Sequence, residues 1–253
     1  MKPTDELYKS LQIAYTHFNQ ALFGNKLPDV IFTVQRQRGV LGYFAPDRWS
    51  SVSGNRCHEI AINPTHMGDS RVIEVLQTLV HEMVHCWQYS FGKPARSCYH
   101  NKEWAYKMIE VGLQPTSTGM PGGAITGQQM SDFAIADGLF LKTCYMLVNQ
   151  GAFTLPWIDR RLTPKSALLE TAATQIPDHI EATDDMNYDD ETVAELLTSS
   201  YSDLMPEDTF IPVQQHSVKA KQKYHCPGCH SNVWGKPELH IICGECDETF
   251  EAV

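Results

Sequence analysis

The sequence predicts an α+β fold, helices packed on a small sheet, with a second and much smaller β unit at the C-terminal end. Three observations carry that prediction. Apolar residues recur at three- and four-residue spacing over two long stretches, 4–24 and 69–89. Short β-prone runs lie between them. Four of the eight cysteines stand as two CxxC pairs, Cys226/Cys229 and Cys243/Cys246, while Cys57, Cys86, Cys98 and Cys144 are scattered singly. A chain of 253 residues has room for one good-sized domain and something small.

The first helix opens with Thr4 as a candidate N-cap, followed by Asp5 and Glu6 where a helix N-terminus favours negative charge. Leu7, Leu11, Ala14, Tyr15, Phe18 and Leu22 make its apolar face, and Gly24-Asn25 ends it. Strands are expected at Val30–Val34, Val40–Phe44 and Glu59–Ile62, the last stopped by Asn63-Pro64. A second helix spans Asp69 to about Tyr89, with Ile73, Leu76, Val80, Val84 and Trp87 on or near one face. After a break at Gly92–Pro94, a third helix runs over Lys102–Val111 and closes at Gly112. Pro115–Gly127 has loop composition, and Phe133–Pro156 fits a hairpin or a packed extension equally well.

Charge divides the chain. The formal total is minus 10, but residues 1–125 carry plus 2, 126–215 carry minus 11 and 216–253 carry minus 1. The stretch 176–212 combines Asp184, Asp185, Asp189, Asp190 and Glu191 with three prolines, and buries too little apolar surface to repay its ordering entropy. A short helix over Glu191–Leu197 would be marginal alone. The expected organisation is a domain over 4–165, a flexible acidic linker over 166–217 and a small unit over 218–253. The apolar stretches 72–84 and 138–148 are short and interrupted by polar residues, which argues against a membrane span. The polar start, Met1–Ser10, lacks a signal-peptide pattern, so a soluble, cytoplasmic protein is expected.

Two motifs carry chemistry. His81-Glu82-Met83-Val84-His85 is an HExxH pattern inside the second helix. Four residues is about one helical turn, so both imidazoles face the same way and can hold one zinc ion, with Glu82 beside them as a general base. A hydrolytic zinc needs a third protein ligand and an open position. His100 and Glu103 both lie downstream at a loop-to-helix junction. An imidazole there can reach back to the long helix, which favours His100 and leaves Glu103 as an acceptor able to orient a ligand ring. Tyr43, Tyr99 and Trp49 are candidates for an oxyanion donor or a cleft wall, while His17, His58 and His66 have no partner spacing.

The second motif is Cys226-Pro-Gly-Cys229, thirteen residues, then Cys243-Gly-Glu-Cys246. Four thiolates close a tetrahedral shell, so this zinc is expected to hold structure rather than catalyse, with Gly228 and Gly244 easing the two turns. The chain is thus expected to carry one catalytic and one structural Zn2+. Lys219, Lys221, Lys223, Tyr224, His225, Trp234 and Lys236 around the ribbon suit base stacking and phosphate contact. They suit an aromatic core with a solvated lysine run equally well.

Several separated motifs appear in order: Phe18-Asn19 through Leu22-Phe23-Gly24 and Leu27-Pro28, Gly42-Tyr43-Phe44, Glu59 through Pro64, Leu79 through Gln88, and Tyr99 through Trp104. Together they resemble the SprT-like domain family, and Tyr224–Phe250 resembles the zinc ribbon of some bacterial members. The acidic middle has no counterpart in that family. The resemblance implies a zinc metalloprotease of minigluzincin fold, metal on His81, His85 and His100, and Glu82 as the base. Relatives such as Spartan cleave proteins crosslinked to DNA, so it also implies a DNA-associated protein substrate. The alternative function is a non-catalytic zinc-containing module that binds nucleic acid or protein; the presence of Glu82, for which a structural zinc has no use, favours the enzyme.

Overall fold

Helix α1 (Pro3–Phe23) starts two residues earlier than an N-cap at Thr4 predicts, because Pro3 occupies a first-turn position that needs no N–H partner. It ends at Gly24, whose left-handed backbone (φ 60°) lets its N–H reach the Asn19 carbonyl. Leu11, Ala14, Tyr15, Phe18 and Leu22 bury one face, as their spacing predicts. The computed structural model describes residues 1–37, 39–96, 99–149, 153, 155–161, 190–206, 208–211 and 221–253; Cys98 lies outside them.

Strands β1 (Val30–Val34), β2 (Gly42–Ser50) and β3 (Arg56–Ile62) form a mixed sheet in the order β1-β3-β2, with β1 parallel and β2 antiparallel to β3. β2 is longer than its apolar run because, past a register shift between Ala45 and Trp49, it pairs again through Trp49 with Cys57 and Ser50 with Arg56. Asp47, at φ 49°, sits in the shift. Ile60 and Ile62 point into the core beside Phe32 and Val30, so Glu59 and Tyr43 lie on the other face by the two-residue alternation of a strand.

Helix α2 (Val72–Phe91) crosses the core face of this sheet, and α3 (Lys102–Glu110) packs against α2. Phe133–Pro156, for which composition allows a hairpin or a packed extension, holds the end of a strand and a helix among its described residues, and the stretch of loop composition before it begins as a strand at Pro115-Thr116. β4 (Leu113–Thr116) pairs antiparallel with β5 (Ser131–Ala134), and α4 (Leu139–Asn149) lies against α1. Pro115 falls within β4 because a two-stranded ladder leaves an edge where its missing N–H is harmless. Of the scattered cysteines, Cys86 and Cys144 are fully buried, whereas Cys57 on β3 is half-exposed.

The acidic linker expected over 166–217 needs correction where its residues are described. Helix α5 (Asp190–Thr198) packs on α2 and α4, with Leu197 fully buried and Val193 and Tyr201 nearly so, in the same core as α1 to α4. The backbone is joined as well: Val72 N–H donates to Ser199 O (3.2 Å), Tyr201 N–H to Ser70 O (3.1 Å) and Ser202 N–H to Gly68 O (2.9 Å). Those three apolar residues, four apart, form a stripe that the surrounding charge conceals. Residues 166–189, 207 and 212–217 of the proposed linker lie outside the described residues, as do 162–165 and 218–220 beside it.

By its internal contacts the chain divides into two units, 1–212 and 213–253. In the second, β6 (Gln222–His225) pairs with β7 (Asn232–Gly235) and β8 (Glu251–Ala252) around Tyr224, Cys226, Cys243 and Phe250. No helix among the described residues is long and apolar enough to cross a membrane.

If α5 belongs to the core, Leu197→Ala removes a fully buried side chain and costs about 2–5 kcal/mol of stability, read by denaturant unfolding of the full chain. An unpacked linker predicts no change.

Candidate metal centres

α2 sets two imidazoles one turn apart, with the rings of His81 and His85 5.1 Å between centroids. The third arrives from the start of α3. Asn101 caps that helix, its Oδ1 accepting from Trp104 N–H at 3.0 Å, and this fixes the backbone just after His100. His100 itself bridges to Gly127, with N–H to O distances of 2.8 and 3.1 Å in the two directions. Its ring then lies 5.5 Å from that of His81 and 4.9 Å from that of His85. One nitrogen from each of the three lies within 4.8 Å of the other two. Trp104, fully buried, forms the floor beneath all three rings at 4.3 to 5.3 Å.

Hydrogen bonding decides which nitrogens are free. Nδ1 of His81 lies 2.7 Å from Oδ2 of Asp132 on β5, and Nδ1 of His100 lies 3.3 Å from the Gly127 carbonyl. A carboxylate and a carbonyl only accept, so both Nδ1 atoms donate and the lone pairs stay on Nε2. Burial lowers the pKa of His85 and His100, helped by the neighbouring His81, and that of His100 falls to about 4 although Gly127 opposes the shift. Burial also works against protonation of His81, but the hydrogen bond and charge of Asp132 outweigh it and leave its pKa raised. Three imidazoles without sulfur or carboxylate suit a borderline metal such as zinc and leave a fourth position open.

Glu82 sits beside this group and is itself nearly buried. Burial pushes its pKa up to about 7; the neighbouring His81 opposes this, the Asp132 charge adds to it, and a hydrogen bond from the Phe44 backbone N–H opposes it. Strand β2 reaches Glu82 because residue 42 is glycine. A Cβ there would lie 2.8 Å from Ala61 O, 3.1 Å from Thr78 Cγ2 and 3.4 Å from Glu82 Cγ.

Several expected roles change. Glu103 does not orient a ligand ring: its Oε2 accepts from Gln88 Nε2 at 2.8 Å and Lys93 N–H at 2.6 Å, tying the end of α2 to the start of α3. Asp132, which no motif marks, is the carboxylate that meets a ring of this group. Tyr43 and Trp49 are engaged on the opposite sheet face, donating at 2.7 and 2.6 Å to the buried carboxylate of Glu59, which also accepts from Thr33 and Gln35. The Tyr99 ring lies under the Arg96 guanidinium at 5.6 Å.

In the C-terminal unit, the sulfurs of Cys226, Cys229, Cys243 and Cys246 all lie within 4.8 Å of one another. The two turns match in detail. His230 N–H donates to Cys226 O and Asp247 N–H to Cys243 O, each at 2.9 Å, and both donors are left-handed (φ 61° and 54°). The positive φ thus falls one residue past each pair rather than on Gly228 or Gly244. Gly228 is needed for a different reason, since a Cβ would lie 2.9 Å from Cys246 Cβ, whereas one at Gly244 meets nothing. Four clustered sulfurs are the donor set of a closed structural zinc. Of the ribbon aromatics, Tyr224 is core and bonds Lys236 O at 2.6 Å, while Trp234 is exposed.

Residues 11–121 match the SprT-like family. A Salmonella typhimurium protein described as "Uncharacterized protein in mucB 3'region" is 49% identical over 41 residues, which cover 16% of this chain and 55% of that protein. No solved structure matches the chain.

The ligand choice is directly testable. His100→Ala is expected to lose the metal of the histidine site, while Glu103→Ala keeps it, as read by metal content after desalting; the reverse pattern overturns the assignment of His100.

Proposed function

We propose that this chain, SprT-like over residues 11–121, is a zinc-dependent endopeptidase with a minigluzincin-type catalytic unit and a zinc ribbon. The observation that carries the proposal is the position of Glu82: a nearly buried carboxylate beside three converging imidazoles, but not one of them. A purely structural metal has no use for such a group. His81, His85 and His100 would hold the catalytic zinc, and Cys226, Cys229, Cys243 and Cys246 the structural one.

Zinc in the histidine site supplies Lewis acidity, which polarises a scissile carbonyl and brings the pKa of a water to about 7. The remaining work belongs to the chain. Glu82 accepts the proton of the attacking water and passes it to the departing amine. The Phe44 backbone N–H favours the charged form of that carboxylate. Trp104 excludes water from beneath the imidazoles, and the Nδ1 hydrogen bonds of His81 and His100 keep their rings from turning.

The substrate class we assign is a DNA-associated or DNA-crosslinked protein in the cytoplasm. The SprT-like match supports it, as does the exposed Trp234 paired with Lys223 across the β6–β7 ladder, a combination suited to stacking and phosphate contact. The minus 11 charge falls on 126–215, outside the ribbon, whose own residues 216–253 carry minus 1.

Wild type and Glu82→Gln are compared on a DNA-binding protein, with and without single-stranded DNA. Cleavage is expected to fall by about 10²–10⁴-fold in Glu82→Gln while about two zinc ions per chain remain bound. Equal cleavage by both proteins overturns the role of Glu82. Cleavage by neither makes the chain a zinc-containing binding module.

A further inference from the structure

The geometry points to Asp132 as a positioning residue of the histidine site: it fixes the tautomer and the rotation of His81, and so places the 127–132 segment inside the metal centre. This inference rests on the zinc-site reading above. It extends that site beyond residue 121, where the family match ends.

Four observations converge on it. Asp132 and the His81 side chain are both largely buried, and their 2.7 Å contact spans 51 residues of sequence. Gln77, one helical turn before His81, donates through Nε2 to the Asp132 backbone carbonyl at 2.7 Å, which locks the β5 backbone to the metal-binding helix. The same segment reaches the second ring through Gly127, whose carbonyl accepts from both His100 N–H and His100 Nδ1. Two of the three imidazoles are therefore oriented from residues 127–132. Finally, Oδ1 of Asp132 is buried without a hydrogen-bond partner.

The chemical consequence is specific. With its Nδ1 proton held by a carboxylate, His81 presents the Nε2 lone pair toward His85 and His100, and the negative partner makes that nitrogen a stronger donor to a metal. Without Asp132 the imidazole can take the other tautomer, with its proton on the nitrogen that must bind metal.

The test uses the full chain and two readouts that do not depend on cleavage. Zinc affinity of the histidine site is measured by chelator competition, taking as that site the phase absent from His100→Ala. The Nδ1 proton of His81 is followed by NMR in the zinc-loaded protein. Asp132→Ala is expected to weaken zinc binding by about 10–100-fold and to abolish a downfield, slowly exchanging imidazole N–H resonance. Asp132→Asn, which keeps an acceptor oxygen but not the charge, is expected to shift the resonance upfield and weaken binding less. Glu103→Gln, the control, leaves the resonance in place. Should Asp132→Ala fail to fold, the near-isosteric Asp132→Asn carries the test. A folded variant with unchanged affinity and an unchanged resonance overturns the role of Asp132. Zinc bound normally without cleavage in wild type would instead refute the endopeptidase and leave Asp132 standing.

Discussion

Helix α2 must bury nearly its whole circumference while keeping three ionisable groups within one turn, and the rest of the larger unit follows from that constraint. Ile73, Leu76, Val80, Met83 and Val84 are completely or almost completely buried, which anchors the helix between sheet, α1, α3 and α5. Polar groups this deep are tolerated only when their hydrogen bonds are supplied from elsewhere. β2 supplies the Phe44 N–H to Glu82, β5 supplies Asp132 to His81, and the Gly127 turn supplies its carbonyl to His100. β2 and β5 thus contribute a polar contact to the site as well as apolar surface to the core.

The pieces from the far side of the chain are held by equally local devices. Glu103 and Asn101 join Gln88 and the Lys93 backbone, so the end of α2 and the start of α3 form one rigid corner. Gly92 gives Glu103 its room, because a Cβ there would approach Oε2 to 2.5 Å. At the other end of α2, residues 199–202 hydrogen-bond to Gly68, Ser70 and Val72, so the acidic segment braces the helix that carries the site.

What was legible in the sequence tracks how local the physics is. His81 and His85 follow from helical periodicity, and the four cysteines from spacing within two short turns. His100 was visible because a loop-to-helix junction can return a side chain to α2. Asp132 was not, since its partner lies 51 residues away and a single Asp in Ser131–Ala134 carries no pattern. Over Glu191–Leu197 the sequence alone supports only a marginal helix; the stability of α5 comes from packing of Val193, Leu197 and Tyr201, whose four-residue spacing is the available signal. Residue type and proximity alone do not tell a ligand-orienting carboxylate from one that closes a helix corner, as Glu103 does.

The central claim is an open three-histidine zinc site with Glu82 beside it. Anomalous diffraction at the zinc edge, from crystals of the full chain, tests it most directly. The account predicts two peaks, one among the four cysteine sulfurs and one shared by His81, His85 and His100, with Glu82 close by but unbound. No peak at the histidines, or one closed by Glu82 as a fourth protein ligand, would contradict it.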